Sequence, residues 1–151
     1  MRQFSLILIS FILLGLTACD NDTPGVDRSL LVGTWTGVEA IIEEEGEPTQ
    51  TDTEEIATAV IVFEEDGTFI GSEIDDNGDL EEQDRGAWAL TNNLLVVTII
   101  DDDEPLNSTS EIRELSESSL TIYLEAEEES SGVEEESSIF KYTVKYRKTQ
   151  P

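Results

Sequence analysis

The chain has 151 residues, of which 35 are acidic and eight are basic, and its formal net charge at pH 7 is −27. This charge excludes nucleic acid as a partner, because contacts from lysine and arginine to phosphates dominate such binding. The chain has no histidine and a single cysteine, which removes the usual general base, the commonest transition-metal ligand and any disulfide within the chain.

The first 18 residues have the features of a cleavable export signal. One positive charge, Arg2, precedes an apolar stretch of 13 residues, Phe4–Leu16. A membrane-spanning helix needs ~20 apolar residues, so this stretch is too short to span and fits a signal-peptide core. The junction Leu16-Thr17-Ala18-Cys19 resembles the bacterial lipobox. That resemblance implies lipidation of Cys19 and attachment to a membrane through its acyl chains.

The segment after the signal, residues 19–29, is polar, contains Pro24 and Gly25, and is predicted to be the lipid-bearing cysteine and its tether. Without the signal the charge becomes −28. Acidic Asp20 and Asp22 follow the cysteine, and such residues resemble a signal for inner-membrane retention in some bacteria and for outer-membrane display in others. We favour the outer membrane, on its periplasmic face or at the cell surface.

Residues 30–148 are predicted to form one all-β domain, followed by a tail at 149–151. Apolar, β-branched runs recur every 10–15 residues with turn residues between them, and the pair Asn77-Gly78 is a favoured hairpin turn. In the last strand Phe140, Tyr142, Val144 and Tyr146 alternate with polar residues, so they share one face. Eight strands are predicted, at about 31–43, 56–64, 68–74, 86–90, 94–100, 108–115, 120–127 and 138–147.

Three segments in order carry a family resemblance. They are Leu31-Val32-Gly33-Thr34-Trp35, which contains a Gly-x-Trp motif, Phe63–Phe69 and Gly86–Leu90. Together they resemble the lipocalin-like domains of bacterial lipoproteins, over about Leu30–Lys148. The resemblance implies an up-and-down antiparallel barrel of eight strands, of the calycin type, with one closed and one open end. It also implies that Trp35 packs across the closed end under a basic residue of the last strand, Arg147.

An eight-stranded barrel is either filled by its own side chains or holds one small ligand. The first alternative predicts a structural or protein-interaction lipoprotein that works through its acidic surface or through calcium binding at that surface. The second predicts a lipid-anchored module that binds a small hydrophobic ligand at the cell envelope. The side chains expected to line such a cavity are apolar or aromatic: Ile61, Phe63, Phe69, Trp88, Leu95, Val97, Ile122, Phe140 and Tyr142.

One acidic segment has the spacing of a calcium-binding loop. Oxygen ligands at positions 1, 3, 5, 7, 9 and 12, with glycine at position 6, are typical of the EF-hand. The glycine is Gly78, and the ligands would be Glu73, Asp75, Asn77, Asp79, Glu81 and Asp84. The flanks read as strands where an EF-hand has helices, which favours an acidic hairpin with at most weak Ca²⁺ binding. No other cofactor is expected, and with no catalytic motif in the chain we predict that the protein is not an enzyme.

Overall fold

The computed structural model describes residues 25–101, 104–129 and 137–149. A short helix, α1 (Arg28–Leu31), leads into the first strand, and a single 3-10 turn, Ile56–Thr58, precedes the third. The nine strands are β1 (Gly33–Glu44), β2 (Gln50–Asp52), β3 (Ala59–Phe63), β4 (Thr68–Ile74), β5 (Leu80–Thr91), β6 (Leu94–Asp101), β7 (Glu104–Leu115), β8 (Ser119–Glu129) and β9 (Ser137–Lys148).

Eight of these strands form a closed antiparallel barrel. From β3 to β9 each strand pairs with the next one in the chain, and β9 pairs back onto β1. Strand β2 is an extra piece that pairs with β1 at Ala40–Ile42, beyond the point where β3 stops pairing. The predicted eight-stranded, up-and-down antiparallel barrel is therefore confirmed.

The observed strands differ from the predicted ones where polar residues occupy both faces. Strand β5 begins at Leu80 instead of Gly86, because its first half, Glu81–Arg85, has no apolar alternation to reveal it. The short strand β2 has the sequence Gln-Thr-Asp and was not predicted for the same reason. Residues 56–58, predicted as the start of a strand, form the 3-10 turn instead.

The two ends of the barrel are built differently. The end where β3 meets β4 and β5 meets β6 holds the hydrophobic core, and we call it the closed end. Its buried side chains are Leu31, Trp35, Phe63, Phe69, Trp88, Leu95, Ile112, Leu120 and Ile122. At the other, open end lie the β1–β3 connection and the β4–β5 turn, and the inward-facing side chains there, such as Phe140 and Tyr142, are only half buried.

The part of the predicted tether that the structure describes contacts the barrel. Val26 packs against the core, and its main-chain N donates a hydrogen bond to Asn92 O at 3.2 Å. Because the core and the closing strand lie between Val26 and Lys148, residues 20–151 contain the complete barrel. Cys19 and the predicted signal lie outside the described residues. Among the helices that the structure describes, none has the length and apolar character to cross a membrane.

Candidate functional site

The closed end is organised around Trp35, whose side chain has no solvent-exposed surface. Its indole Nε1 donates a hydrogen bond to Leu31 O at 2.8 Å, so the polar edge of the ring is satisfied inside the core. Helix α1, which supplies that carbonyl, begins at the cap residue Asp27, where the side chain accepts a hydrogen bond from Ser29 N. Helix α1 therefore covers the bottom of the barrel.

The cation over Trp35 is Lys148, one residue beyond the arginine that the resemblance implied. Lys148 Nζ lies 5.0 Å from the centroid of the Trp35 ring and donates to Leu30 O at 2.8 Å. Arg147 pairs with Thr36 and is exposed on the outer face. Lys148 takes this position instead of Arg147 because β9 alternates without a bulge, so that position 148 shares the inner face with Tyr142 and Tyr146.

Gly33 explains why the Gly-x-Trp motif needs its glycine here. Its φ is +137°, and a Cβ at this position would lie 2.6 Å from Lys148 Cε. A side chain at position 33 would therefore strain the backbone and push the lysine stem away from Trp35.

Trp88 repeats the arrangement on the other side of the core. Its indole Nε1 donates to Glu64 O at 3.0 Å, and the Arg28 guanidinium lies 4.5 Å from its ring centroid. Phe63 packs edge-on against Trp88, with ring centroids 5.5 Å apart, and tilts against Phe69 at 5.7 Å. These contacts pack aromatic rings through the core of the closed half.

The open half, by contrast, contains a cavity of about 550 Å³. This volume is in the range of small-molecule sites, ~300–1,000 Å³. Gly71 is part of its wall and adds no side chain there, and a Cβ at this position would lie 3.3 Å from Asp84 Cβ and 3.5 Å from Phe69 Cε1. The lining side chains come from β1, β3, β4, β5, β9 and the 3-10 turn, and they include Ala40, Ile42, Ile56, Ile61, Phe69, Tyr142 and Val144.

The predicted cavity residues divide between the two halves. Ile61, Phe69 and Tyr142 line the cavity. Phe63, Trp88, Leu95 and Ile122 are buried in the closed-end core and do not line it. Val97 and Phe140 are half buried on the inner face, where the Phe140 ring stacks on Tyr142 with centroids 6.2 Å apart.

Several lining residues were not predicted. Val144 shares the alternating face of β9 with Tyr142, a signal already present in the sequence. Ala40 and Ile42 face inward because of a bulge between Gly37 and Glu39, which sequence alternation alone does not reveal.

The six residues of the predicted calcium loop do not converge on one point. Asp75 Oδ1 accepts hydrogen bonds from the main-chain N of Asn77 and of Asp79, and its Oδ2 accepts one from Asn77 Nδ2. These hydrogen bonds, that of the Asn77 side chain foremost, lower the pKa of Asp75. The segment is a β-hairpin turn with Gly78 at φ +85°. Within the described ranges no three acidic side chains are arranged to hold a metal ion.

Glu73 and Asp84, the first and last residues of that predicted loop, have a different position. Glu73 pairs with Ala59 and Asp84 with Gly71. Both line the cavity, and Asp52 and Glu55 of the β1–β3 connection line it as well. The spacing of the acidic segment thus identified two residues that line the cavity, although it predicted them as calcium ligands.

Residues 31–122 match the family model described as a lipocalin-like domain. The matched region runs from the end of α1 to the first residues of β8, so the closing strand β9 and its Lys148 lie beyond it. No curated protein matches the chain.

Proposed function

The chain belongs to the lipocalin-like domain family, and from this premise we propose that it is a lipid-anchored, non-enzymatic module that binds a small hydrophobic ligand at the cell envelope. The observation that carries the proposal is the cavity of about 550 Å³ in the open half of the barrel. A lipocalin-like barrel is typically a binding fold, and this barrel leaves open the space that such a ligand would occupy.

The cavity favours this function over a filled barrel that acts only through its surface. In a filled barrel, packed side chains would occupy both halves of the interior. Here the buried core ends at Phe69, and the cavity lies beyond it in the open half. Nor does β3 present the exposed apolar patch that would suggest a partner, because Val60 is 4% exposed and Val62 is half buried.

The non-enzymatic role rests on the chemistry of the chain. The chain has no histidine, the commonest general base and nucleophile activator, and its one cysteine is at the predicted lipidation site, where it cannot serve as a thiolate nucleophile. The proposed module has no resident cofactor. Its ligand contacts are the apolar walls at Ile42, Ile61, Tyr142 and Val144.

The binding proposal is tested by native mass spectrometry of residues 20–151 purified from a bacterial host. We expect a reproducible additional mass from a bound small molecule. Gly71→Val should abolish it, because the new side chain would project toward Phe69 and Asp84. Ala89→Val is the matched control, since Ala89 is exposed and does not line the cavity. A bare protein mass, unchanged after incubation with fatty acids and lipids, would overturn the proposal.

The anchor proposal rests on the junction Leu16-Thr17-Ala18-Cys19. Two or more acyl chains give stable membrane attachment, whereas one gives only reversible binding. We expect the full chain expressed in bacteria to enter the detergent phase on phase separation and Cys19→Ala to remain in the aqueous phase, with Thr23→Ala as the control. A Cys19→Ala protein that still enters the detergent phase would contradict lipidation at this residue.

For location we propose the outer membrane, on the strength of Asp20 and Asp22 beside the cysteine and of the family. Density-gradient separation of the two membranes tests this directly. The lipidated protein should sediment with outer-membrane markers, and recovery with the inner membrane would contradict the proposal.

A further inference from the structure

The rim of the cavity carries negative charge without positive compensation. Asp52, Glu55, Glu73 and Asp84 line it, and no lysine or arginine of the described residues does. The hydroxyl of Thr58 donates toward Glu73 Oε1 at 3.3 Å and toward Glu55 O at 2.7 Å. No ion pair with a basic side chain neutralises any of these four carboxylates in the part of the chain that the structure describes.

The basic residues nearest in sequence point away from the cavity. Arg85 follows Asp84 but pairs with Ile70 on the outer face and donates two hydrogen bonds to Glu82, at 2.8 and 2.9 Å. Lys141 lies opposite Glu43 on the outer face, next to the inward-facing Tyr142. The cavity therefore offers an apolar interior and a rim of carboxylates to whatever enters it.

We propose that the cavity binds a cationic amphiphile, a molecule with an apolar body and an amine or quaternary ammonium head. This inference rests on the proposed binding function and specifies its ligand class. The apolar body lies against Ile61, Phe69 and Val144, and the head lies at the rim between Glu73 and Asp84. Tyr142, stacked on Phe140, presents an aromatic ring at the same end, and aromatic rings attract such heads.

A ligand with an anionic head is disfavoured in this cavity for two reasons. A fatty acid would bring its carboxylate beside Glu73 and Asp84, where like charges repel and no cation compensates for lost hydration. The approach of a ligand is also biased, because segments 43–55 and 73–84, which lie at or beside strand ends of this half, contain 14 acidic residues and no basic one. Such a field raises the local concentration of cations and their rate of association.

The test is calorimetric titration of residues 20–151 with three probes of equal chain length: decyltrimethylammonium, decanol and decanoate. At ~0.15 M salt the Debye length is ~8 Å, so distant surface charges are largely screened. We expect the cation to bind most tightly and decanoate most weakly. In the double variant Glu73→Gln/Asp84→Asn the affinity for the cation should fall about tenfold, while that for decanol stays unchanged.

A matched control removes the same charge from outside the cavity. Glu54→Gln/Asp76→Asn changes two exposed residues of the open end that do not line it. This variant should keep the wild-type affinity for the cation within about twofold. An equal loss in both double variants, or wild-type binding of decanoate or decanol as tight as that of the cation, would overturn the cationic ligand while leaving the binding function intact. Failure of all three probes to bind would overturn both.

Discussion

The closed and open ends of this barrel contain the same kinds of side chain but use them differently. At the closed end, Trp35 and Trp88 are buried, each with its indole N–H bonded to a carbonyl and a basic group over its ring. At the open end, Phe140 and Tyr142 stack on each other, remain half exposed and leave a cavity beside them. The comparison indicates that stability is concentrated in one half of the barrel, so that the other half is free to bind.

The largest effect should come from truncating a ring at each end. Trp35→Ala removes a fully buried ring and its hydrogen bond, and we expect the free energy of unfolding to fall by about 3–5 kcal/mol. Tyr142→Ala at the open end should cost at most about 1.5 kcal/mol, because the side chain is already partly hydrated. Urea denaturation followed by circular dichroism measures both values. Equal losses would contradict the division between the two halves.

The next effect is a dependence of the free energy of unfolding on pH, which arises from Tyr146 in the closed half. Burial raises the pKa of Tyr146 to about 12, whereas the unfolded chain has a tyrosine pKa of ~10. Between these values the folded state retains a proton that the unfolded state has lost, so stability falls as pH rises from about 10 to about 12. The loss from this residue should reach about 2–3 kcal/mol at pH 12.

Tyr146→Phe should remove that part of the dependence, because phenylalanine does not titrate. The measurement is denaturant unfolding of both proteins at pH 9, 11 and 12, and their difference in stability should change with pH. Tyr142→Phe is the control, because it removes the same hydroxyl from a half-exposed side chain at the open end. A constant difference between Tyr146→Phe and wild type across this range would show that Tyr146 titrates normally.

The smallest of the three effects is a difference in stability between variants of Lys148 and Arg147, the two neighbouring basic residues of β9. Lys148→Met keeps an apolar stem but removes the cation over Trp35 and the hydrogen bond to Leu30 O, which should cost about 1–2 kcal/mol. Arg147→Met removes the same charge from the outer face and should change stability by less than about 0.5 kcal/mol. Thermal or urea unfolding distinguishes them, and a reversed order would contradict Lys148 as the closing residue.

Much of the fold could be predicted because the barrel strands alternate. The face shared by Phe140, Tyr142, Val144 and Tyr146 is inward as expected, and the Asn77-Gly78 pair does turn a hairpin. The same alternation, carried two residues beyond Tyr146, leads to Lys148. The resemblance implied Arg147 at the closed end, but alternation along β9 places Arg147 on the outer face and Lys148 on the inner face.

The depth of each side chain could not be predicted from alternation. Ile61 and Phe63 share a face, yet Ile61 lines the cavity and Phe63 is 1% exposed in the core. Depth depends on register with neighbouring strands and on which residues are small enough to leave space. The bulge after Gly37 shifts the register of β1, Gly71 adds no side chain to the cavity wall, and neither feature is visible in the hydrophobic pattern.

The most direct test of the account is a two-dimensional ¹⁵N NMR titration of residues 20–151 with decyltrimethylammonium. It should produce saturable shifts at the amides of Ile42, Ile61, Gly71 and Tyr142 around the cavity. The indole signals of Trp35 and Trp88 should stay in place, because both rings are packed in the closed half. Shifts centred on those indoles or on the outer face, or no saturable shift at all, would contradict the assignment of binding to the open end.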